Sequence, residues 1–271
     1  MEPFVQKHNR YLDIEQWQQA VPQLIAGFST RQDGYSDAPF YSLNVGFHVG
    51  DDKEQVKANR ALLAHDIGFP LTSWVGSEQV HEATIRKVFT DDAGKGADCL
   101  ETALSSIDGI YTNERNLLLT SLYADCVPLY FMAPTYGFIG LAHAGWRGTV
   151  KRIGPAMLQH WIKEESISLS DIRVAIGPCI SQTAYEVDEM VITAVNQCLT
   201  DEMKRPYINQ GNGSFLLDLR ELNKQFLLSE GLLEEQILVS SICTATDKRM
   251  FSHRAEGGKT GRMMSFIGLR E

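Results

Sequence analysis

The sequence predicts a mixed fold, α/β or α+β, on three observations. Short apolar runs of strand length recur along the chain, amphipathic segments of helical period are interleaved with them, and several apolar runs end abruptly at His, Asp or Cys. One pair of runs is closely coupled. Pro128-Leu129-Tyr130-Phe131-Met132 and Phe138-Ile139-Gly140-Leu141-Ala142 are separated only by the turn-forming Ala133-Pro134-Thr135-Tyr136-Gly137. They are expected to form a hairpin that brings Cys126 and His143 together at one sheet edge.

The other elements follow in chain order. The first helix is expected after Asp52, with Gln55 completing a capping-box-like pair. Val56, Leu63 and Ile67 share one face, and Gly68 and Pro70 stop it. Strands are predicted at Thr84–Phe89, directly after His81, and at Leu117–Tyr123, leading into Asp125-Cys126. After Gly148 a helix is expected from Val150, Ile153, Met157, Trp161 and Ile162, with Pro155 either kinking it or delaying its start. A strand over 172–176 ends at Gly177-Pro178-Cys179, and a helix follows over 187–199. Phe215-Leu216-Leu217 precedes a helix capped by Asp218 with Glu221 and ended by Gly231. Residues 237–242 form a last strand ending at Cys243.

At 271 residues the chain suits one large unit or two interlocked halves, and no linker, repeat or low-complexity tract marks a boundary. Hydrophobic residues make up 44% and charged residues 22%, and no stretch is apolar enough to span a bilayer. With 25 Lys and Arg against 34 Asp and Glu, the net charge of −9 argues against nucleic-acid or anionic-membrane partners. The N-terminus lacks the pattern of a signal peptide, so the cytoplasm is the expected compartment. The five cysteines, Cys99, Cys126, Cys179, Cys198 and Cys243, are odd in number and widely spaced, which speaks against a disulfide framework.

Chemistry concentrates on His81, Cys126 and His143, separated by 45 and then 17 residues. Such spacing is too wide for a zinc finger, so only the fold can assemble them. Two imidazoles and one thiolate make a three-ligand zinc site whose fourth position is open, the arrangement of catalytic zinc. Asp125 is expected either to orient a ligand histidine or to carry protons. A metal-free alternative makes Cys126 a nucleophile with His143 as its base. Either Cys243 or His253 is a candidate fourth ligand in a purely structural site. His8, His48, His65 and His160 read as surface or packing residues. Arg147, between glycines at a strand-to-helix turn, either meets an anion such as phosphate or stacks on Trp146. The Ser29-Thr30-Arg31 cluster, and Ser252-His253-Arg254 with Thr260-Gly261-Arg262, either line a pocket rim or form salt-bridged loops.

The chain resembles the laccase-domain family, also described as multicopper polyphenol oxidoreductases, peptidoglycan editing factors and purine nucleoside phosphorylases. The resemblance runs from Gly27-Phe28-Ser29-Thr30-Arg31 and Ser42-Leu43-Asn44-Val45-Gly46 through Gln79-Val80-His81, Asp108-Gly109 and Ala124-Asp125-Cys126-Val127-Pro128. It continues through His143-Ala144-Gly145-Trp146-Arg147-Gly148 and Phe251-Ser252-His253-Arg254 to Thr260-Gly261-Arg262. Two departures stand out: Glu82 follows His81 where a glycine is common, and Pro155 interrupts the helix after the tryptophan motif.

The resemblance implies one domain over 1–271, with mixed β-sheets flanked by helices in layers. It implies zinc on His81, Cys126 and His143, with copper the less favoured metal; separately, with no heptads or exposed apolar stripe in the sequence, a monomer is expected. The implied activity is phosphorolysis of adenosine, inosine or 5′-methylthioadenosine to base and sugar phosphate, with hydrolytic deamination of adenosine to inosine. Purine nucleoside and phosphate are then the partners, with Arg31, Asn44, Arg147 and His253 as candidate substrate-binding residues and Asp125 beside the metal. The rivals are amide hydrolysis or peptidoglycan editing by a Cys126/His143 pair, and copper-dependent phenol oxidation. The last is disfavoured by only seven scattered histidines.

Overall fold

In the computed structural model, which describes residues 1–271, two six-stranded sheets pack face to face with helices on both outer sides. The first sheet runs in spatial order Phe4–His8 (β1), Tyr11–Ile14 (β2), Leu24–Ser29 (β3), Met263–Leu269 (β15), Leu118–Tyr123 (β7) and Trp74–Gly76 (β4). The second runs Ile237–Val239 (β14), Arg173–Ile176 (β10), Val127–Ala133 (β8), Phe138–Ala144 (β9), Gly109–Thr112 (β6) and Ile85–Lys87 (β5). Both sheets are mixed: β4/β7, β5/β6 and β10/β14 pair parallel, and the remaining neighbours antiparallel. A small third sheet holds Glu186–Val187 (β11), Ser214–Leu217 (β13) and Tyr207–Gly211 (β12).

The expected hairpin forms in register. Pro128 pairs with His143 and Val127 with Ala144. Gly137 at φ +70° closes the turn. All fourteen residues of its two strands are buried, because both faces are covered. Val127, Leu129, Phe131 and Ala133 pack towards the helices, while Tyr130 and Met132 meet the first sheet.

The helices complete the layers. Glu15–Ala20 (α1) covers one end of the first sheet, and Lys53–Ile67 (α2) lays Leu63, Ala64 and Ile67 over its outer face against Leu118, Met264 and Phe266. Trp146–Val150 (α3), Ile153–Lys163 (α4), Glu189–Cys198 (α5) and Leu219–Ser229 (α6) flank the second sheet. No helix is long and apolar enough to cross a membrane.

Local chemistry explains where the elements start and stop. Asp52 accepts from the backbone N–H groups of Glu54 and Gln55, and Gly68 at φ +72° ends α2. The Gln55 side chain bonds Asp37 instead of reaching back to the cap, so the capping box is half formed. Replacing Asp52 with alanine is expected to cost about 1 kcal/mol in urea unfolding.

The helix after Gly148 is broken rather than kinked. Arg152 at φ +61° separates α3 from α4, and Pro155 then sits in the first turn of α4, where a missing N–H costs no intrahelical bond. The break turns Ile162 outwards, 38% exposed, although the sequence pattern put it on the buried face. Strands predicted over 84–89 and 237–242 shorten to 85–87 and 237–239. The helix predicted from Val187 starts at Glu189, because Val187 pairs in β11 and Asp188 caps.

Two chain crossings position the site. The chain leaves the first sheet at Tyr123 and enters the second at Val127, so Ala124-Asp125-Cys126 spans the gap. The loop carrying His81 likewise links β4 of the first sheet to β5 of the second.

Candidate active site

His81, Cys126 and His143 converge, with their ligand atoms all within 4.8 Å of one another. Cys126 Sγ lies 4.0 Å from His81 Nε2, and the two imidazole rings meet edge to face at 4.8 Å between centroids. His81 holds a left-handed backbone, φ +63°, on its connecting loop, and His143 projects from the buried end of β9.

Asp108 organises this cluster. Its buried carboxylate accepts the backbone N–H groups of Val80, His81 and Glu82 at 3.1, 3.0 and 2.9 Å, and lies 2.9 Å from His143 Nδ1. One anion thus pins the loop of the first ligand and the ring of the third, leaving His143 Nε2 for the cluster. Burial pushes its pKa up, but His143 and the backbone N–H groups outweigh this and hold it below the ordinary carboxylate value. Of the two roles the sequence left open for Asp125, orienting a ligand histidine or carrying protons, the structure gives the first to Asp108. Asp125, at φ +87°, accepts from Thr244 Oγ1 at 2.6 Å, Ser252 Oγ at 3.0 Å and the Arg254 N–H at 2.7 Å. It lines the cavity and knots the C-terminal loop, while a carboxylate 17 residues upstream of it holds the histidine.

The glycines of the His143–Gly148 motif are required by close approach. A Cβ on Gly145 would stand 2.8 Å from His81 Cδ2 and 3.1 Å from Cys126 Sγ. The donor set and its convergence fit a zinc ion. Tetrahedral zinc with ordinary bond lengths sets neighbouring donors about 3.3–3.7 Å apart, so small side-chain rotations close the cluster. His81, Cys126 and His143 are the only such ligand group of three or more in the chain, and neither Cys243 nor His253 joins it.

Without metal the cluster is polarised. Burial pushes the Cys126 thiol up, but the His143 and His81 imidazoles overcome it and bring the thiol down to about 6. Burial lowers His143, but Cys126 and Asp108 raise it to about 9. Metal-stripped protein is therefore expected to be alkylated by iodoacetamide first at Cys126. That reactivity should persist at neutral pH and fall as pH drops through about 6, where the thiolate is protonated. Reloading metal should protect the residue, as peptide mass mapping would show.

The cluster lies on the wall of a cavity of about 580 Å³, large enough for a small-molecule substrate. Trp146, Ile180, Tyr185 and Leu219 give it an apolar portion; His48, Ser77, Glu78, Gln79 and Arg262 give it a polar one. Of the candidate substrate-binding residues, Arg147 and His253 line it. Arg147 is exposed and its guanidinium lies 4.3 Å over the Trp146 ring. Arg31 and Asn44 lie outside the lining. Arg31 pairs with Glu256 at 2.8 Å over the Phe251 ring, and the fully buried Asn44 braces the Gly46 and Arg262 backbones.

His48, read from sequence as surface or packing, opens on the cavity. Desolvation, then the Arg262 and Arg60 guanidiniums, hold its imidazole down to about 4. The roles of His48 and Asp108 were not legible for the same reason: the groups each one faces lie far away in sequence. Glu82, the departure beside His81, points away and pairs with Lys151 on the surface.

Known proteins share the sequence and fold of this chain. The family described as multi-copper polyphenol oxidoreductase laccase matches residues 25–270. The chain is 47% identical over 248 residues to purine nucleoside phosphorylase YlmD of Geobacillus stearothermophilus, covering 91% of this chain and 90% of the relative. It is 45% identical over 264 residues to the Bacillus subtilis protein of the same name, covering 96% and 95%. The crystal structure of the Geobacillus YlmD superposes with a TM-score of 0.96 over the whole of both chains at 44% identity. Neisseria meningitidis NMB0706, of the DUF152 family, superposes at 0.75 with 27% identity, over 92% of this chain and 95% of that one. The chain belongs to the multi-copper polyphenol oxidoreductase laccase family.

Proposed function

We propose that the protein is a zinc-dependent purine nucleoside phosphorylase. It cleaves adenosine, inosine or 5′-methylthioadenosine with phosphate and also deaminates adenosine to inosine. The observation that carries this reading is the three-ligand cluster on the wall of a nucleoside-sized cavity, one ligand fixed by Asp108 and no fourth protein ligand in place. The names of the Geobacillus and Bacillus relatives supply the substrate class. The protein would act as one unit over 1–271.

His81, Cys126 and His143 would hold the metal, which when bound supplies a Lewis-acid centre with an open coordination position. The chain's own residues do the rest. Trp146 and Tyr185 offer aromatic surface to a purine, and the guanidiniums of Arg147, Arg254 and Arg262 make the cavity rim positive. Asp125 would act by fixing the Ser252–Arg254 turn that carries His253 into the lining, since hydrogen bonds engage both its oxygens. His₂Cys donors also suit copper, but a multicopper oxidase requires further ligand clusters, and the chain has this one.

Elemental analysis of the purified protein, paired with inosine incubated with and without phosphate, tests the reading. One zinc per chain and hypoxanthine released only with phosphate are expected. Hypoxanthine release that does not depend on phosphate, or no release, would sink it.

One feature favours a second reading. Cys126, His143 and Asp108 are arranged in the order of a nucleophile, its base and an orienting carboxylate, which suits a metal-free thiol hydrolase acting on amides. In that reading His81 has no role.

A further inference from the structure

We propose that Arg262, with His48 beside it, forms the anion subsite that receives the phosphate co-substrate. The proposal deepens the phosphorolysis reading and rests on it. Three guanidiniums border the cavity, and the structure treats them differently. Arg147 is exposed and lies flat over Trp146. Arg254 is exposed, lies 5.1 Å over the Tyr185 ring and donates to the Glu186 carbonyl at 2.6 Å. Both belong to the aromatic portion, where a purine would stack.

Arg262 is half-buried, and its main chain is fixed on both sides. Its N–H donates to Asn44 Oδ1 at 2.8 Å and its carbonyl accepts from the Val45 N–H at 3.2 Å. Its Nη1 is used internally, donating to the Thr260 and Gly261 carbonyls at 3.0 Å each. Nε and Nη2 have no protein acceptor, and no carboxylate pairs with this side chain. A guanidinium moved out of bulk water without a counter-ion raises the energy of the empty site, and an arriving anion offsets that cost. The two unoccupied nitrogens present the planar fork that suits two phosphate oxygens.

His48 is adjacent. A Cβ on Gly46 would stand 2.8 Å from Arg262 Cγ and 3.4 Å from His48 Cε1, so both side chains pack over this glycine. Burial lowers the Arg262 pKa, and the nearby Cys126 and Asp125 charges raise it, which also places the guanidinium close to the ligand cluster. His48, neutral at physiological pH, adds a hydrogen-bonding ring and no second charge. In the reaction served by this subsite, a phosphate oxygen forms a bond to the sugar's anomeric carbon as the bond from that carbon to the purine nitrogen breaks. The bonding pair leaves on the base, which takes up a proton.

The test compares wild-type protein, as purified, with Arg262→Gln, Gly46→Ala and Arg147→Gln. The readouts are phosphate dependence of inosine cleavage, inosine KM, bound metal and line broadening of inorganic phosphate in ³¹P spectra. Loss of a paired charge-assisted bond predicts a rise in phosphate KM of about ten- to a hundred-fold in Arg262→Gln, with inosine KM and metal content close to wild type. Gly46→Ala, which displaces the Arg262 stem, should shift the same constant in the same direction. Phosphate KM unchanged in both, or raised instead in Arg147→Gln, would overturn the subsite. Should wild type cleave inosine without phosphate, the phosphorylase reading fails separately. The ³¹P broadening then decides the subsite: lost in Arg262→Gln it stands, and retained it falls.

Discussion

Replacing Asp108 with asparagine is expected to lower metal affinity about 10- to 100-fold while the chain still folds, and Asp108→Ala is expected to cost about 3–5 kcal/mol of stability as well. The size of the effect follows from what one buried carboxylate holds: three backbone N–H groups of the His81 loop and His143 Nδ1. Asparagine keeps the volume but loses the charge and offers one acceptor oxygen where the anion offered two. Alanine leaves all four groups without a partner. Metal titration and urea unfolding of both variants check the prediction. The pH dependence has a definite sign. Because the folded-state pKa of Asp108 lies below its unfolded value, its stabilisation is present above about pH 4 and disappears as pH falls through the folded pKa. The gap in unfolding free energy between wild type and Asp108→Asn should therefore narrow in acid; a gap constant from pH 7 to pH 3 would show that the carboxylate's charge is not what matters.

His81→Ala is expected to abolish stoichiometric metal binding and to reduce nucleoside phosphorolysis more than about a hundred-fold, a larger loss than removing a partner of a ligand. Stability should change by less than about 0.5 kcal/mol in the metal-free state. The His81 side chain is partly exposed, and its N–H remains to bond Asp108 whatever the side chain. The variant also separates the two chemistries. If Cys126 is a nucleophile with His143 as base, loss of His81 leaves turnover largely intact. Full activity in metal-free His81→Ala would replace the metal reading with the thiol one.

Much of the fold was legible in the chain because its signals are local. The Pro134–Gly137 turn between two apolar runs predicts the β8/β9 hairpin, and Asp52, Asp218, Gly68 and Gly231 mark helix ends by satisfying or relaxing the backbone at those positions. The break at Arg152 was not legible. A non-glycine residue at positive φ carries no compositional mark, and Pro155 pointed only to disruption nearby.

The site divides the same way. The sequence by itself placed His81, Cys126 and His143 next to predicted strand ends, with the hairpin setting two of them at one edge, and the fold brings the third to them. It also marked the Ser252–Arg254 and Thr260–Arg262 segments as potential lining, and His253, Arg254 and Arg262 do border the cavity. Only the tertiary structure decided which carboxylate serves the cluster. Asp125 is adjacent to the thiol in sequence, yet at φ +87° its side chain turns to Thr244 and Ser252, while Asp108 approaches from β6, paired beside β9. Tertiary structure also decided that Arg31 is consumed by Glu256, that Asn44 braces backbone, and that Arg262 stands without a carboxylate. The physical reason is common to all of these. Backbone periodicity and capping are set by neighbours a few residues away, whereas the partner of a charged side chain is chosen by whichever group the packing of two sheets brings within 3 Å.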